Sequence, residues 1–163
     1  MTDLMREFQA ESLGLVEQML ELLETCESGS GEPIQLEKFG QYADRIMGAS
    51  RQLLTQREGD ALVLGVVAQL AELCKVLGYK TAQLAAEHGL WPVAVGVLLD
   101  ANEELRRLIV EVSGASSKTN VAQALLERLN WLNQQFSASI GGGVPMSQVE
   151  QMIDQLKGMK KPQ

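Results

Sequence analysis

The chain holds two cysteines and a single histidine in 163 residues, and these shortages remove several classes of chemistry. Cys26 and Cys74 stand far apart and form no C-x-x-C pair, so their spacing signals neither a zinc site nor a redox couple. They read as reduced thiols of a cytosolic protein. One histidine, His88, cannot build a histidine-based metal cluster, and scattered carboxylates are a poor substitute; no metal and no cofactor is expected. The glycines occur singly or as "GGG", with no strand before them and no Lys-Ser/Thr after, so no phosphate-cradling loop is present. No serine sits in a nucleophile elbow.

Basic residues are also scarce in the arrangement that nucleic acid requires. The net charge is −7, and the one basic cluster is Lys157, Lys160 and Lys161 at the very end, so a nucleic-acid partner is not expected. The start, "MTDLMREFQAES", lacks the basic flank and apolar block of a signal peptide. The longest unbroken apolar stretch, "LWPVAVGVLL", contains a proline and is too short to span a bilayer. A cytoplasmic protein with no membrane partner is the expectation. Its 45% apolar and 21% charged residues are ordinary for a globular chain.

Helical periodicity is what the sequence has in quantity, and no stretch alternates like a half-buried strand. Met5, Phe8, Ser12, Leu15, Met19, Leu22 and Cys26 recur in steps of three and four, predicting a first helix over about 3–25 that ends at "ESGSGEP". A second helix over about 35–56 has the inward track Leu36, Phe39, Ala43, Ile46, Ser50 and Leu53. Asp60 then caps a third, over 61–87, whose apolar residues run round most of its circumference and make it central. His88 and Gly89 read as its C-terminus, with the imidazole favourable to the helix dipole. Pro92 opens a fourth helix running to about 112, in which Glu103 and Arg107 fall at pairing distance on a solvated face. A fifth spans about 118–139 with Val121, Leu125, Leu129, Leu132 and Phe136 on one face.

After "IGGGVP" comes "MSQVEQMIDQLKGMKK", an amphipathic helix with Ser147 and Glu150 as a capping box. Val149, Met152, Ile153, Leu156 and Met159 share its apolar face, which either docks on its own bundle, forms a dimer contact or seeks a partner's groove. The fold expected is all-α: an up-and-down four-helix bundle with an additional helix over 1–140, a flexible Gly-rich linker at 141–145, and a tethered C-terminal amphipathic helix at 146–163.

One row on the second helix points toward function. Gly40, Asp44 and Gly48 lie at i, i+4 and i+8, bordered by Met47 and Arg51. A glycine inside a helix costs about 1 kcal/mol relative to alanine, so something should gain from the thin surface: either a neighbouring helix of the bundle or an incoming partner.

"LEKFGQYADRIMGASRQL" resembles the central helix of histidine phosphotransfer domains, most closely the chemotaxis-kinase type, which reads A-H-x-x-K-G-x-A. "FQAESLGLVEQMLELLE" resembles that family's first helix and "LGVVAQLAELCKVLG" its third; the architectural likeness covers about 5–136 and is specific only around 43–50. The family's phosphoryl-carrying histidine aligns with Asp44, its lysine with Met47, and its glycine with Gly48. Asp44 has no ring nitrogen to carry phosphate, and its carboxylate would repel a phosphorylated receiver. The resemblance therefore implies a degenerate domain without ordinary phosphotransfer at this position, and His88 lies too far from the motif to replace it. It implies a non-catalytic adaptor in bacterial two-component or chemotaxis-like signalling. Its partner would be a response-regulator receiver domain or another signalling protein, bound around Gly40, Asp44, Met47, Gly48 and Arg51.

Two lesser features stand beside this reading. Glu127 and Asn130, at i and i+3, resemble the acid-amide pair by which some chemotaxis phosphatases place a water against a receiver's aspartyl phosphate. The tail, through Ser147-Gln148, Glu150, Ile153-Asp154 and Leu156, resembles the short helices with which flagellar switch proteins and chemotaxis phosphatases grasp a response regulator, although the spacing between Glu150 and Ile153 departs from that pattern. The alternatives are thus a receiver phosphatase using Glu127 and Asn130, or a structural helical protein that forms a homo-oligomer through Val149, Met152, Ile153 and Leu156.

Overall fold

A computed structural model of the chain describes residues 2–112, 119–139 and 146–158. Among these, six helices and no strands occur: α1 (Asp3–Glu27), α2 (Pro33–Thr55), α3 (Ala61–Ala82), α4 (Leu90–Glu111), α5 (Gln123–Ser139) and α6 (Met146–Gly158). The expected linker at 141–145, the Ser147 side chain of the expected capping box, Met159 and the terminal lysines Lys160 and Lys161 lie outside the described residues.

The first four helices close into a ring, α1 packing on α2 and α4, and α3 on α2 and α4. Cross-helix contacts join these neighbours, and those between α2 and α3 and between α1 and α4 run antiparallel. Arg45 of α2 meets Glu11 of α1 at 3.1 Å, and Lys75 of α3 meets Asp44 of α2 at 2.9 Å. Between α1 and α4, Asn102 Nδ2 donates to the carbonyl of Val16 at 3.3 Å, and Gln9 Nε2 donates to the carbonyls of Ile109 and Val110 at 3.2 and 3.0 Å. That last pair adds a partner to two carbonyls at the end of α4, one of which, Ile109, also accepts the Val112 amide at 3.3 Å. α5 lies on α4, and α6 on α3 and α5, forming an outer layer. This is the four-helix bundle with extra helices that the periodicity predicts.

Every residue of the predicted α2 track is buried, from Leu36 to Leu53. α3 is central as expected because α2, α4 and α6 all pack on it, and Leu64, Leu70, Leu73, Cys74 and Leu77 are wholly buried. Each leucine among them contributes roughly 1.5–3 kcal/mol by leaving water. By length and composition α3 could cross a membrane, but its apolar surface is consumed by the bundle. That origin of its hydropathy is a core helix.

The α2–α3 contact is the tightest feature of the ring. A methyl group on Gly40 would stand 2.8 Å from Cε1 of Tyr79, and one on Gly78 would stand 2.8 Å from Cδ1 of Phe39. Each helix thus sets an aromatic ring into a glycine notch of the other. α2 ends in a Schellman arrangement, with the Arg57 amide donating to Leu54 and the Glu58 amide to Leu53 at 3.1 and 3.0 Å. Arg57 takes the left-handed conformation there, φ 57°, which usually falls to glycine.

Three helix ends, that of α3 and the starts of α4 and α5, differ from expectation. α3 stops at Ala82, not at 87, because Leu84 is buried and the chain tightens into turns with Gln83 bonded to Lys80 and Leu84 to Thr81. His88 is therefore not at a helix C-terminus: its Nδ1 accepts the Leu90 amide at 3.0 Å at the start of α4. Pro92 is the third residue of α4 rather than the first, still among the amides that need no helical partner. α5 starts at Gln123, not 118, since Arg107 Nη2 claims the Asn120 carbonyl at 3.0 Å and keeps it out of a helical ladder. Arg107 also corrects the expected Glu103 pairing, for it binds Glu104 and, at 3.0 Å, Glu111. Those hydrogen bonds, with Glu104 foremost, raise its pKa further.

The glycines separate into those that are filled and those that are open. Gly78→Ala forces a methyl group against the buried Phe39 ring and should destabilise the fold by about 1–3 kcal/mol. Gly48→Ala, with nothing within 4 Å of the added carbon, should stabilise it by about 1 kcal/mol. Urea denaturation of the two variants beside the wild type measures both signs.

Candidate functional site

The α2 row divides along its length. Gly40 is buried beneath Tyr79, and Met47, 9% exposed, belongs to the core. These two expected partner contacts face the bundle itself; the close approach at Gly40 is made by a neighbouring helix. Asp44, Gly48 and Arg51 remain at the surface. The Asp44 side chain keeps 47% of its exposure while accepting a hydrogen bond from Lys75 Nζ at 2.9 Å. One helical turn beyond Gly48, Arg51 donates to Glu72 at 2.6 Å. Gly48 therefore sits open between two ion pairs that link α2 to α3.

Lys75 and Glu72 are the residues that sequence reasoning missed. The signal that finds them is hairpin symmetry: α2 and α3 are antiparallel across a short turn, and Asp44 and Lys75 lie at nearly equal distances from Gly59, as do Gly40 and Tyr79. The four charges cancel, so the Asp44 carboxylate is not an isolated negative point. Such half-exposed pairs contribute little stability, about 0–1 kcal/mol each, and their effect is on the electrostatics of the surface.

The tail residues go elsewhere. Val149, Met152, Ile153 and Leu156 are 0–6% exposed, and α6 lays them against α3 and α5. Of the readings open from sequence, docking on its own bundle is the arrangement found. A side-chain hydrogen bond from Gln69 Nε2 to Gln155 Oε1, 2.7 Å, joins α3 to α6.

Glu127 is exposed on α5, within 3.5 Å of Gln123 Nε2, and Asn130 is half-buried. Glu127 lines a shallow groove of about 350 Å³ between α4 and α5 with Val93, Val97, Ala124, Arg128 and Trp131, in which Asn130 takes no part. Arg128 is held there by Asp100.

Nucleophiles are poorly placed. Burial pushes the Cys26 thiol up to about 11 and the Cys74 thiol to about 12, far from the thiolate form at neutral pH. Among the described residues no group of three His, Cys, Asp or Glu side chains could hold a metal ion. A buried cation does occur: Lys80 of α3, 7% exposed, donates to Asn133 Oδ1 of α5 at 2.7 Å. Its burial lowers the ammonium pKa below the usual lysine value.

Two outcomes follow. Neither thiol of the folded chain should react with an aromatic disulfide reagent at pH 8, whereas both should react in urea. Because the unfolded state binds the Lys80 proton more strongly, wild-type stability should rise relative to Lys80→Met as pH climbs from the lowered folded pKa to the ordinary lysine value, 10.5, and then level off. Denaturation midpoints across that range measure the effect. No protein-family model, curated protein or solved structure matches the chain.

Proposed function

We propose that this chain is a non-catalytic adaptor, a degenerate relative in shape of the histidine phosphotransfer domain, acting in cytoplasmic two-component or chemotaxis-like signalling of a bacterium. It binds a response-regulator receiver domain, or another signalling protein, through the outer face of α2. Asp44, Gly48 and Arg51 form the contact, while Gly40 and Met47 support it from within.

The observation that carries this reading is the open glycine. Gly48 lies inside α2, exposed, and beyond its own stretch of helix backbone nothing comes within 4 Å of where its side chain would begin. The fold gains nothing from that vacancy and forgoes helix propensity. A partner's backbone or side chain gains close access to the helix there. Lys75 and Glu72 add to the case by balancing Asp44 and Arg51, so an acidic receiver site meets a neutral surface. Asp44 offers no nitrogen for phosphate, and the reading assigns it a binding role alone.

The test is binding of purified receiver domains from the source organism to the wild type, Asp44→Arg and Gly48→Arg, with helical content checked by circular dichroism. At least one receiver should bind the wild type, and each substitution should weaken it ten-fold or more without loss of helix. Equal affinity across the three proteins refutes the surface.

A further inference from the structure

The four-helix ring is complete without the outer layer, since α1 closes on α4 and α3 on both its neighbours. α6 is an addition to it. Its 13 residues are too few to hold a helix alone in water, so docking is what makes it helical. Val149, Met152, Ile153 and Leu156, at i, i+3, i+4 and i+7, enter the groove beside α3 and α5 as a partner helix enters a receptor.

The α3 side of that groove is not purely apolar. Gln69, Leu73, Val76 and Lys80 share one face of α3 at i, i+4, i+7 and i+11. Gln69 reaches α6 through Gln155, but its own Oε1 is buried without a hydrogen-bond partner among the described residues. Lys80, at the other end of the face, has its charge met by a neutral amide. Both groups regain water when the layer lifts, which lowers the barrier to release.

We infer that this groove also accepts α6 from a second copy of the chain, making α6 an exchangeable clasp between two molecules. The occupant is fixed by identity: the second copy's α6 presents the same apolar spacing and the same Gln155. All contacts are conserved in the exchange, as in other swaps of an identical element. The resident helix keeps only the advantage of its tether, an effective concentration in the millimolar range for a short connection. Exchange therefore becomes significant as the protein approaches that concentration, or whenever the resident helix is loosened.

The probe is a fluorescent peptide of residues 146–158, titrated into the full chain and into the full chain carrying Ile153→Asp. The substituted chain, its own α6 weakened, should bind the peptide at least ten-fold more tightly than the wild type, and a peptide carrying Ile153→Asp should bind neither. Equal affinity of both chains, or binding of the substituted peptide, overturns the inference. Should Ile153→Asp lose more helical content than the 13 residues of α6 hold, Met152→Ala takes its place with the same two outcomes. Sedimentation of the wild type near millimolar concentration should show a dimer that the α6 substitution removes. A chain that stays monomeric, or a dimer that survives the substitution by using another face, overturns it as well.

Discussion

The distance between α2 and α3 is set by two aromatic rings seated in two glycines, Phe39 against Gly78 and Tyr79 against Gly40. Because neither notch has room for a methyl group, the two backbones lie close along this contact, and the rest of the ring is built outward from the pair. Asp44 reaches Lys75 and Arg51 reaches Glu72 across the same seam. The remaining sides of α3 are then taken by α4 and the outer layer. A helix surrounded in this way needs apolar residues on nearly all sides, which is why a core helix here has the hydropathy of a membrane span.

Much of this was legible in the residues. The α2 track from Leu36 to Leu53 and the α5 residues Leu125, Leu129, Leu132 and Phe136 are buried as their spacing predicts, because a period near 3.6 fixes which side of a helix faces inward; Val121 is buried too, but ahead of the helix. The same spacing cannot say what lies opposite. It placed Gly40 and Gly48 in one row but could not tell that Tyr79 fills the first and nothing fills the second. The tail's apolar face was equally plain, whereas its destination depends on a groove assembled from α3 and α5, far away in sequence. Helix ends were the least legible, since a single long-range bond, such as Arg107 to the Asn120 carbonyl, can delay a start that local composition favours.

Four buried polar side chains, Ser50, Thr81, Asn102 and Lys80, find partners in two ways. Ser50 and Thr81 return their hydroxyls to the carbonyls of Ile46 and Leu77, each at 2.7 Å one turn earlier, and so need no partner helix. Asn102 and Lys80 instead depend on another helix, α1 for the first and α5 for the second. The former residues can sit anywhere in the core without specifying a neighbour. The latter admit few alternative alignments, because a shift of one residue would strand a buried amide or an ammonium.

The amide of Gln9 holds two carbonyls in the last turn of α4 from a helix about 100 residues earlier in the chain. Arg107, just before that end, holds the segment leading into α5. The start of the polypeptide is thereby in mechanical series with its outer layer: α1 steadies the last turn of α4, and that turn carries the arginine on which the approach to α5 is anchored. Strain applied to α1 would reach α5 without passing through the centre of the core.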